Sequence, residues 1–141
     1  MAIWQVEFKL VLRNEEGFSG ALAFDTLPLE QTFRKGESWC DDNWVYGTLE
    51  GTCVELFWFE NKLDEISVRI HVVEISVEEI VCIRDFAAIN DLVILYNDQV
   101  FDVTIDNIYT IIKQSKAFSY THNPLKFIND LSDSTNENWG N

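Results

Sequence analysis

Residues 44–73, with the sequence WVYGTLEGTCVELFWFENKLDEISVRIHVV, decide the fold class of this chain. Every second side chain in residues 66–72 is apolar, which is the period of a half-buried β-strand. Gly47 and Gly51 punctuate the link between two earlier β-rich runs, and residues 60–62 form a polar break before the third run. The stretch therefore predicts a meander of three strands.

Three further runs extend the predicted sheet. Residues 4–12 alternate apolar and polar side chains, residues 92–96 are rich in β-forming residues, and residues 100–103 predict another strand. Residues 52–59 are apolar on both faces apart from Glu55, so this strand is expected in the middle of the sheet.

Helix signals follow most of the strand signals along the chain. Ser76 and Glu79 form an S-x-x-E capping box, in which a hydroxyl and a carboxylate each satisfy a free backbone amide. Thr104 caps a second predicted helix, and residues 123–124 open a third with proline at its first position. Residues 28–35 predict a short helix that also starts with proline.

The order of these elements predicts an α+β fold, with an antiparallel or mixed sheet of about five strands and about two or three helices packed mainly on one face. A chain of 141 residues with 47% hydrophobic side chains has the length and composition of one folded domain. We expect this domain to span residues 1–131 and the polar residues 132–141 to form a flexible tail.

Charge is the strongest constraint on function. The chain has 24 Asp and Glu against 10 Lys and Arg, a formal net charge of −14. A field of this sign repels the phosphates of nucleic acids and anionic lipid headgroups, and it attracts basic proteins. We therefore expect a basic protein partner, and neither nucleic-acid nor membrane binding.

The cysteines and the apolar runs indicate the compartment. Cys40, Cys53 and Cys82 are an odd and widely spaced set, as expected where thiols stay reduced. The first ten residues carry Glu7 and Lys9, and no apolar run reaches the roughly 18 residues of a membrane span. These features predict a cytoplasmic protein.

The sequence contains no recognisable catalytic or metal-binding motif. It holds no G-x-S-x-G nucleophile elbow and no glycine-rich phosphate loop, and its two histidines and three cysteines lack zinc-type spacing. An EF-hand loop starting at Asp41 or at Asp42 fails in either register. We expect no cofactor, no bound metal and no catalytic residue, while the abundant carboxylates and Cys40 leave an enzyme open as an alternative.

Recognition-type residues are densest in residues 38–47. Trp and Tyr are favoured interface anchors, and Asp pairs with Lys or Arg of a partner, so this segment predicts a binding surface. The residues that it would contribute are Trp39, Asp41, Asp42, Trp44 and Tyr46. The competing interpretation is that Trp39 and Trp44 pack at the edge of the core and that the acidic run is a turn.

The helix predicted at residues 76–90 offers a second surface. On a helical wheel Glu78 and Asp85 lie on the same side as Phe86, opposite a broad apolar face that includes Ile80. Either another helix covers Phe86, or Glu78, Asp85 and Phe86 form an acid-rimmed apolar patch for a partner. A homodimer through this patch is a further interpretation.

Structural residues along most of the chain form a pattern. It consists of Trp4, Ser38-Trp39, Trp44 with Gly47, Gly51, Arg69-Ile70-His71, Gln114-Ser115-Lys116-Ala117-Phe118, and Asn123-Pro124 with Phe127-Ile128. This pattern resembles a family of small, uncharacterised bacterial proteins, which are similar in size and acidity to immunity proteins that neutralise polymorphic toxins. The resemblance implies a module that occludes a basic toxin, such as a nuclease, and it transfers no catalytic residue.

Two functions from different classes remain at this point. The leading hypothesis is a non-catalytic, acidic binding protein of the immunity or antitoxin type, with a basic protein partner. The alternative is a small enzyme or ligand-binding domain with a carboxylate-lined pocket. They differ in whether a protein or a small ligand stabilises the folded chain.

Overall fold

The computed structural model describes residues 3–13, 25–34, 42–60 and 62–122. These ranges contain one six-stranded antiparallel sheet and four helices, so the α+β prediction is confirmed with one more strand than expected. In chain order the elements are β1 (Gln5–Leu12), α1 (Leu27–Thr32), β2 (Asn43–Gly47), β3 (Cys53–Phe59), β4 (Lys62–His71), α2 (Val77–Ile89), β5 (Leu92–Tyr96), β6 (Gln99–Phe101), α3 (Ile105–Gln114) and α4 (Lys116–His122).

The predicted meander is β2, β3 and β4, which are neighbours in the sheet. Val54 of β3 pairs with Tyr46 on one side and with Val68 on the other. β3 is therefore an interior strand, as its apolar character on both faces predicted. The register shifts between Phe57 and Trp58, where the strand pair is irregular.

β1 lies between β4 and β5, in the strand order β2-β3-β4-β1-β5-β6. Phe8 pairs with Val68, while Leu10 pairs with Ile66 on one side and with Ile94 on the other. The first strand of the chain therefore joins the meander to the β5–β6 hairpin, and long-range pairing holds the sheet together at its centre.

The core lies between one face of the sheet and the helices. Buried side chains from α1, α2, α3 and α4 belong to the same apolar cluster as the inward-facing residues of the strands. Its largest fully buried side chains include Phe8, Leu10, Leu29, Tyr46, Leu56, Ile66, Ile70, Ile80, Ile83, Phe86, Leu92 and Ile94. In the described part of the chain, every helix is too short or too polar to cross a membrane.

Side-chain caps start the two longest helices, as the sequence predicted. The Ser76 hydroxyl accepts a hydrogen bond from the Glu79 backbone N–H at 3.1 Å, and the Ser76 N–H donates to Glu79 Oε1 at 2.9 Å. The Thr104 hydroxyl accepts from the Asn107 N–H at 3.0 Å. These bonds satisfy N–H groups that have no partner within the helix.

One helix ends earlier than predicted, and another is followed at once by a further helix. α1 ends at Thr32, before the end of the predicted helix at residues 28–35. α3 ends at Gln114, because the backbone of the next residue, Ser115, is extended. The Ser115 hydroxyl accepts from the Phe118 N–H at 3.1 Å, and α4 follows directly. The helix predicted to open at residues 123–124 and the tail predicted at residues 132–141 lie outside the described residues.

Gly47 and Gly51 provide a matched test of the β2–β3 connection. Gly47 has φ +103°, and a Cβ there would lie 2.2 Å from the Thr52 carbonyl oxygen, whereas a Cβ at Gly51 would meet the movable Thr48 hydroxyl at 2.6 Å. We predict that Gly47→Ala lowers the free energy of unfolding by about 2–3 kcal/mol, and Gly51→Ala by less than about 1 kcal/mol. Urea denaturation measures both, and equal losses would contradict the prediction.

Candidate functional site

α1 and α2 pack side by side, and a groove of about 290 Å³ runs along their junction. Its walls come from both helices: α1 supplies Pro28, Gln31 and Thr32, and α2 supplies Val77, Glu78, Val81, Cys82 and Asp85. We call this feature the acidic groove.

The position of each α2 side chain follows from the helical period. At about 100° per residue, Ile83 and Phe86 share the arc that packs into the core, and Val81 and Asp85 share the arc that faces away from it. Phe86 is fully buried, whereas 59% of Val77 is exposed. The groove therefore presents aliphatic surface to solvent beside two carboxylates.

The floor of the acidic groove is a neutral thiol. Cys82 is 4% exposed, and its S–H donates to the Pro28 carbonyl oxygen at 3.0 Å, which links α2 to the start of α1. Burial raises the pKa of the Cys82 thiol, with a side-chain hydrogen bond to Thr32 acting in the opposite direction. The thiol therefore stays protonated and provides apolar lining rather than a nucleophile.

The two carboxylates of the groove differ in their partners. Glu78 is exposed and makes no ion pair with any described residue. Asp85 accepts from the Arg84 Nε and Nη2 atoms at 3.2 and 3.1 Å, both through the same oxygen, Oδ1. Glu79, next to Glu78, is already used in the capping box of α2. Glu78 and the second oxygen of Asp85 are thus available to a cation from outside.

The structure places two of the three residues predicted for this surface at the groove and buries the third. Glu78 and Asp85 both lie on the solvent-facing arc and line the groove. Phe86 was expected at the surface of an acid-rimmed patch, but it is fully buried, while Ile89 beyond it is 56% exposed. Apolar residues surround α2, so the helical period alone gave a poor direction for the buried arc.

The first predicted surface is divided by strand geometry. Trp39 and Asp41 lie outside the described residues, and Asp42 is exposed in the turn before β2. Trp44 and Tyr46 point to the helix-covered face of the sheet, because alternate residues of a strand share a face. None of the described members of this surface lines the acidic groove.

Trp44 packs against the core, as the competing interpretation expected, and Tyr46 is buried in it. The Trp44 and Trp58 rings lie 4.9 Å apart between centroids at an angle of 48°. Tyr46 is 2% exposed, and burial raises the pKa of its hydroxyl, against the effect of a hydrogen bond to Thr26. In this structure Tyr46 therefore anchors the start of α1 and is not accessible to a partner.

The opposite face of the sheet carries a polar network that the sequence analysis did not identify. Its members are Glu7, Asn43, Glu55, Ser67 and Arg69. The Ser67 hydroxyl donates to Glu7 Oε2 at 2.6 Å, and Arg69 Nε donates to the same oxygen at 3.4 Å. Asn43 Nδ2 donates to Glu55 Oε2 at 3.2 Å. Strand alternation marks these residues as sharing a face, but only the pairing register brings them together.

Glu55 is the deepest charge in this network. It is 5% exposed, and Arg69 Nη1 lies 3.6 Å from its Oε1 atom, which accepts no hydrogen bond from the described residues. Two carboxylates, Glu7 and Glu55, therefore share one guanidinium. Burial of the neighbouring Cys53, together with the charge of Glu55, raises the pKa of that thiol to about 11.

His71 has a structural role at the end of β4. Its Nδ1 atom accepts hydrogen bonds from the backbone N–H groups of Val73 and Glu74, at 3.3 and 3.2 Å. A proton therefore sits on Nε2, which lies 3.6 Å from the Glu74 carboxylate. Among the described residues, no three His, Cys, Asp or Glu side chains are grouped so as to hold a metal ion.

Comparisons of the chain with protein-family models, with curated proteins and with solved structures found no match.

The polar network predicts a coupling between Arg69 and Glu55. Arg69→Met should lower the free energy of unfolding by about 2–3 kcal/mol because a buried carboxylate loses its cation, and the partial exposure of Arg69 keeps the loss below that of a fully buried pair. Adding Glu55→Gln to Arg69→Met should restore part of that loss. Urea denaturation of both single variants and the double variant gives the coupling energy, and purely additive effects would contradict the network.

The raised thiol pKa values predict low cysteine reactivity in the native protein. With a pKa of about 11 for Cys53, roughly one thiol in a thousand is ionised at pH 8. Iodoacetamide should therefore leave Cys53 and Cys82 unmodified until urea unfolds the chain, as read by peptide mass spectrometry. Rapid native labelling of either residue would contradict the buried, protonated state.

Proposed function

We propose that this protein is a non-catalytic acidic binding module that occludes a basic protein partner. The observation that carries the proposal is a surplus of carboxylates that the chain leaves without cations of its own. The net charge is −14, and several of the few basic side chains already pair with carboxylates of the same chain. These are Lys9, Arg13, Arg69 and Arg84.

Internal ion pairs engage at least four of the ten cationic side chains and leave the net charge unchanged. Arg13 is shared between Asp91 and Asp102, with atoms 3.2 and 2.8 Å apart, and Lys9 pairs with Glu65 at 2.9 Å. Because these cations are already neutralised locally, the remaining carboxylates set the field that an approaching protein meets. A field of this kind accelerates encounter with basic proteins and rejects anionic surfaces.

Affinity also requires desolvated apolar contact, since exposed ion pairs contribute little by themselves. The acidic groove offers such contact beside its carboxylates, because Val77, which lines it, is 59% exposed. An apolar centre with a charged rim is the usual arrangement of a protein-binding surface. The groove therefore supports protein binding better than it supports catalysis.

An immunity-type role is the form of this function that we favour. A nuclease toxin must present cationic side chains to bind phosphates, and a carboxylate-rich protein is complementary to that same surface. Occlusion needs no catalytic residue in the binding protein. Among the described thiols, Cys53 and Cys82 both have raised pKa values, which argues against a cysteine nucleophile at either position.

A second cavity gives specific support to the ligand-binding alternative. It measures about 340 Å³ and lies where β1 meets the β5–β6 turn and the α3–α4 junction. Polar side chains of Gln5, Glu7, Asn97 and Lys116 line it. A small metabolite bound there would raise the melting temperature of the protein, so a thermal-shift screen separates this function from protein binding.

The proposed function predicts salt-resistant retention of a basic protein. The chain is immobilised, exposed to lysate of its native cell at low salt and washed at about 0.3 M salt, where the Debye length is well below 10 Å. We expect one basic protein to remain on this bait and not on beads coated with polyglutamate. Its association rate should fall about tenfold or more between low and high salt. A bait that retains only a salt-labile mixture, the same as polyglutamate retains, would overturn the proposal.

A further inference from the structure

We infer that the acidic groove receives an amphipathic helix of the partner, which places an aliphatic side chain between two cationic side chains. This inference rests on the proposed function, and it adds the surface and the kind of segment that the surface recognises. The contacts on this chain are Glu78, Val81 and Asp85, with Val77 and Pro28 beside them.

The first observation behind this inference is the spacing of the groove residues along α2. Glu78 and Asp85 are seven residues apart, which corresponds to about 10 Å along a helix axis. Val81 lies between them on the same side, three residues after Glu78 and four before Asp85. The groove therefore presents the order carboxylate, aliphatic side chain, carboxylate along one line.

A helix matches this order, and an extended segment does not. Two cations about 10 Å apart on one side of a partner helix occupy positions i and i+7, with an aliphatic residue at i+3 or i+4 between them. In a strand, residues about 10 Å apart are separated by three positions and point to opposite faces. The channel between α1 and α2 is also the kind of groove into which a helix ridge packs.

Electrostatics favours cations at both ends of this line. Glu78 has no ion pair within the described chain, and Arg84 occupies only Oδ1 of Asp85. A partner Lys or Arg thus reaches Asp85 Oδ2 without displacing Arg84. Between the two acids, the protonated Cys82 thiol and Val81 form an apolar floor and wall for an aliphatic side chain, and the exposed Val77 extends this surface beyond Glu78.

The size of the groove favours a protein side chain over a small ligand. Its volume of about 290 Å³ lies at the lower end of the range for small-molecule pockets. Val77, which lines the groove, is largely exposed to solvent. In helix-in-groove recognition, one or two side chains of the partner helix enter the groove, and the rest of that helix lies across its opening.

The test is an NMR titration of ¹⁵N-labelled protein with a synthetic helical peptide. The peptide carries Lys at positions i and i+7 and Leu at i+3 and i+4, and its control has the same composition in scrambled order. We expect the amphipathic peptide to shift the amide signals of residues 29–32 and 77–85. We expect the scrambled peptide to bind at least about fivefold more weakly, because it cannot align Leu between its cations.

Two pairs of variants isolate the charge and the apolar contact. Glu78 and Asp106 each occupy the second position of a side-chain-capped helix, so Glu78→Lys and Asp106→Lys change the net charge and the helix terminus equally. Val77→Ser and Ile89→Ser each remove an exposed aliphatic side chain from α2. Glu78→Lys and Val77→Ser should weaken peptide binding about fivefold or more, and the Asp106 and Ile89 controls should change it less than twofold.

Outcomes for the groove and for the function are separable. Equal binding of both peptides, shifts spread over the whole surface, or equal loss in the Asp106→Lys control would each overturn the inference. If the immobilised protein retains a basic partner but Glu78→Lys retains it equally well, the proposed function stands and the groove assignment fails. If the peptide binds at the groove and no basic protein is retained, the groove chemistry stands and the proposed function fails.

Discussion

The pairing of β1 with β4 is the constraint on which the rest of the structure depends. Phe8 opposite Val68 and Leu10 opposite Ile66 place an apolar stripe on one face of the sheet. Because the side-chain period of a strand is two, the same register places Glu7 opposite Arg69 on the other face. A slip of one residue would bury charges beneath the helices and expose the apolar stripe, so the core and the polar network fix the register together.

The apolar face then determines the orientation of α2. Ile83 and Phe86 must pack towards the strands, since both are fully buried in the cluster that includes Phe8 and Leu10. This orientation turns Glu78, Val81 and Asp85 away from the core. The acidic groove is therefore a direct result of how α2 satisfies the sheet, with α1 supplying the second wall. Glu78, Val81 and Asp85 lie outside the buried core cluster, whereas Cys82 belongs to both the cluster and the groove.

The face of the sheet opposite the helices carries the polar network. Glu55 is 5% exposed and has its closest cation at 3.6 Å, so this charge pair adds less stability than an apolar pair of the same size would. A one-residue slip of β3 against β4 would turn Glu55 towards the helix-covered face and away from Arg69. The network is therefore compatible with this register and not with a one-residue slip.

The sequence by itself determined the features that depend on neighbouring residues. These are the β2–β3–β4 meander, the Ser76 and Thr104 caps, the α+β class and the acidity, since alternation, capping boxes and charge are all read within a few residues. It also placed Glu78 and Asp85 on the outer side of α2. It did not determine the position of β1 at the centre of the sheet, the one-residue break at Ser115 that separates α3 from α4, or the burial of Tyr46 and Phe86.

Only the tertiary structure decided those points, because they depend on residues that are far apart in the chain. The direction in which an evenly apolar helix turns is set by the surface beneath it, and a strand side chain is inward or outward only once its partners are fixed. The acidic groove needs both α1 and α2, and the polar network needs β1, β2, β3 and β4 in one register. Neither arrangement has a local pattern in the sequence, so long-range packing alone assembled them.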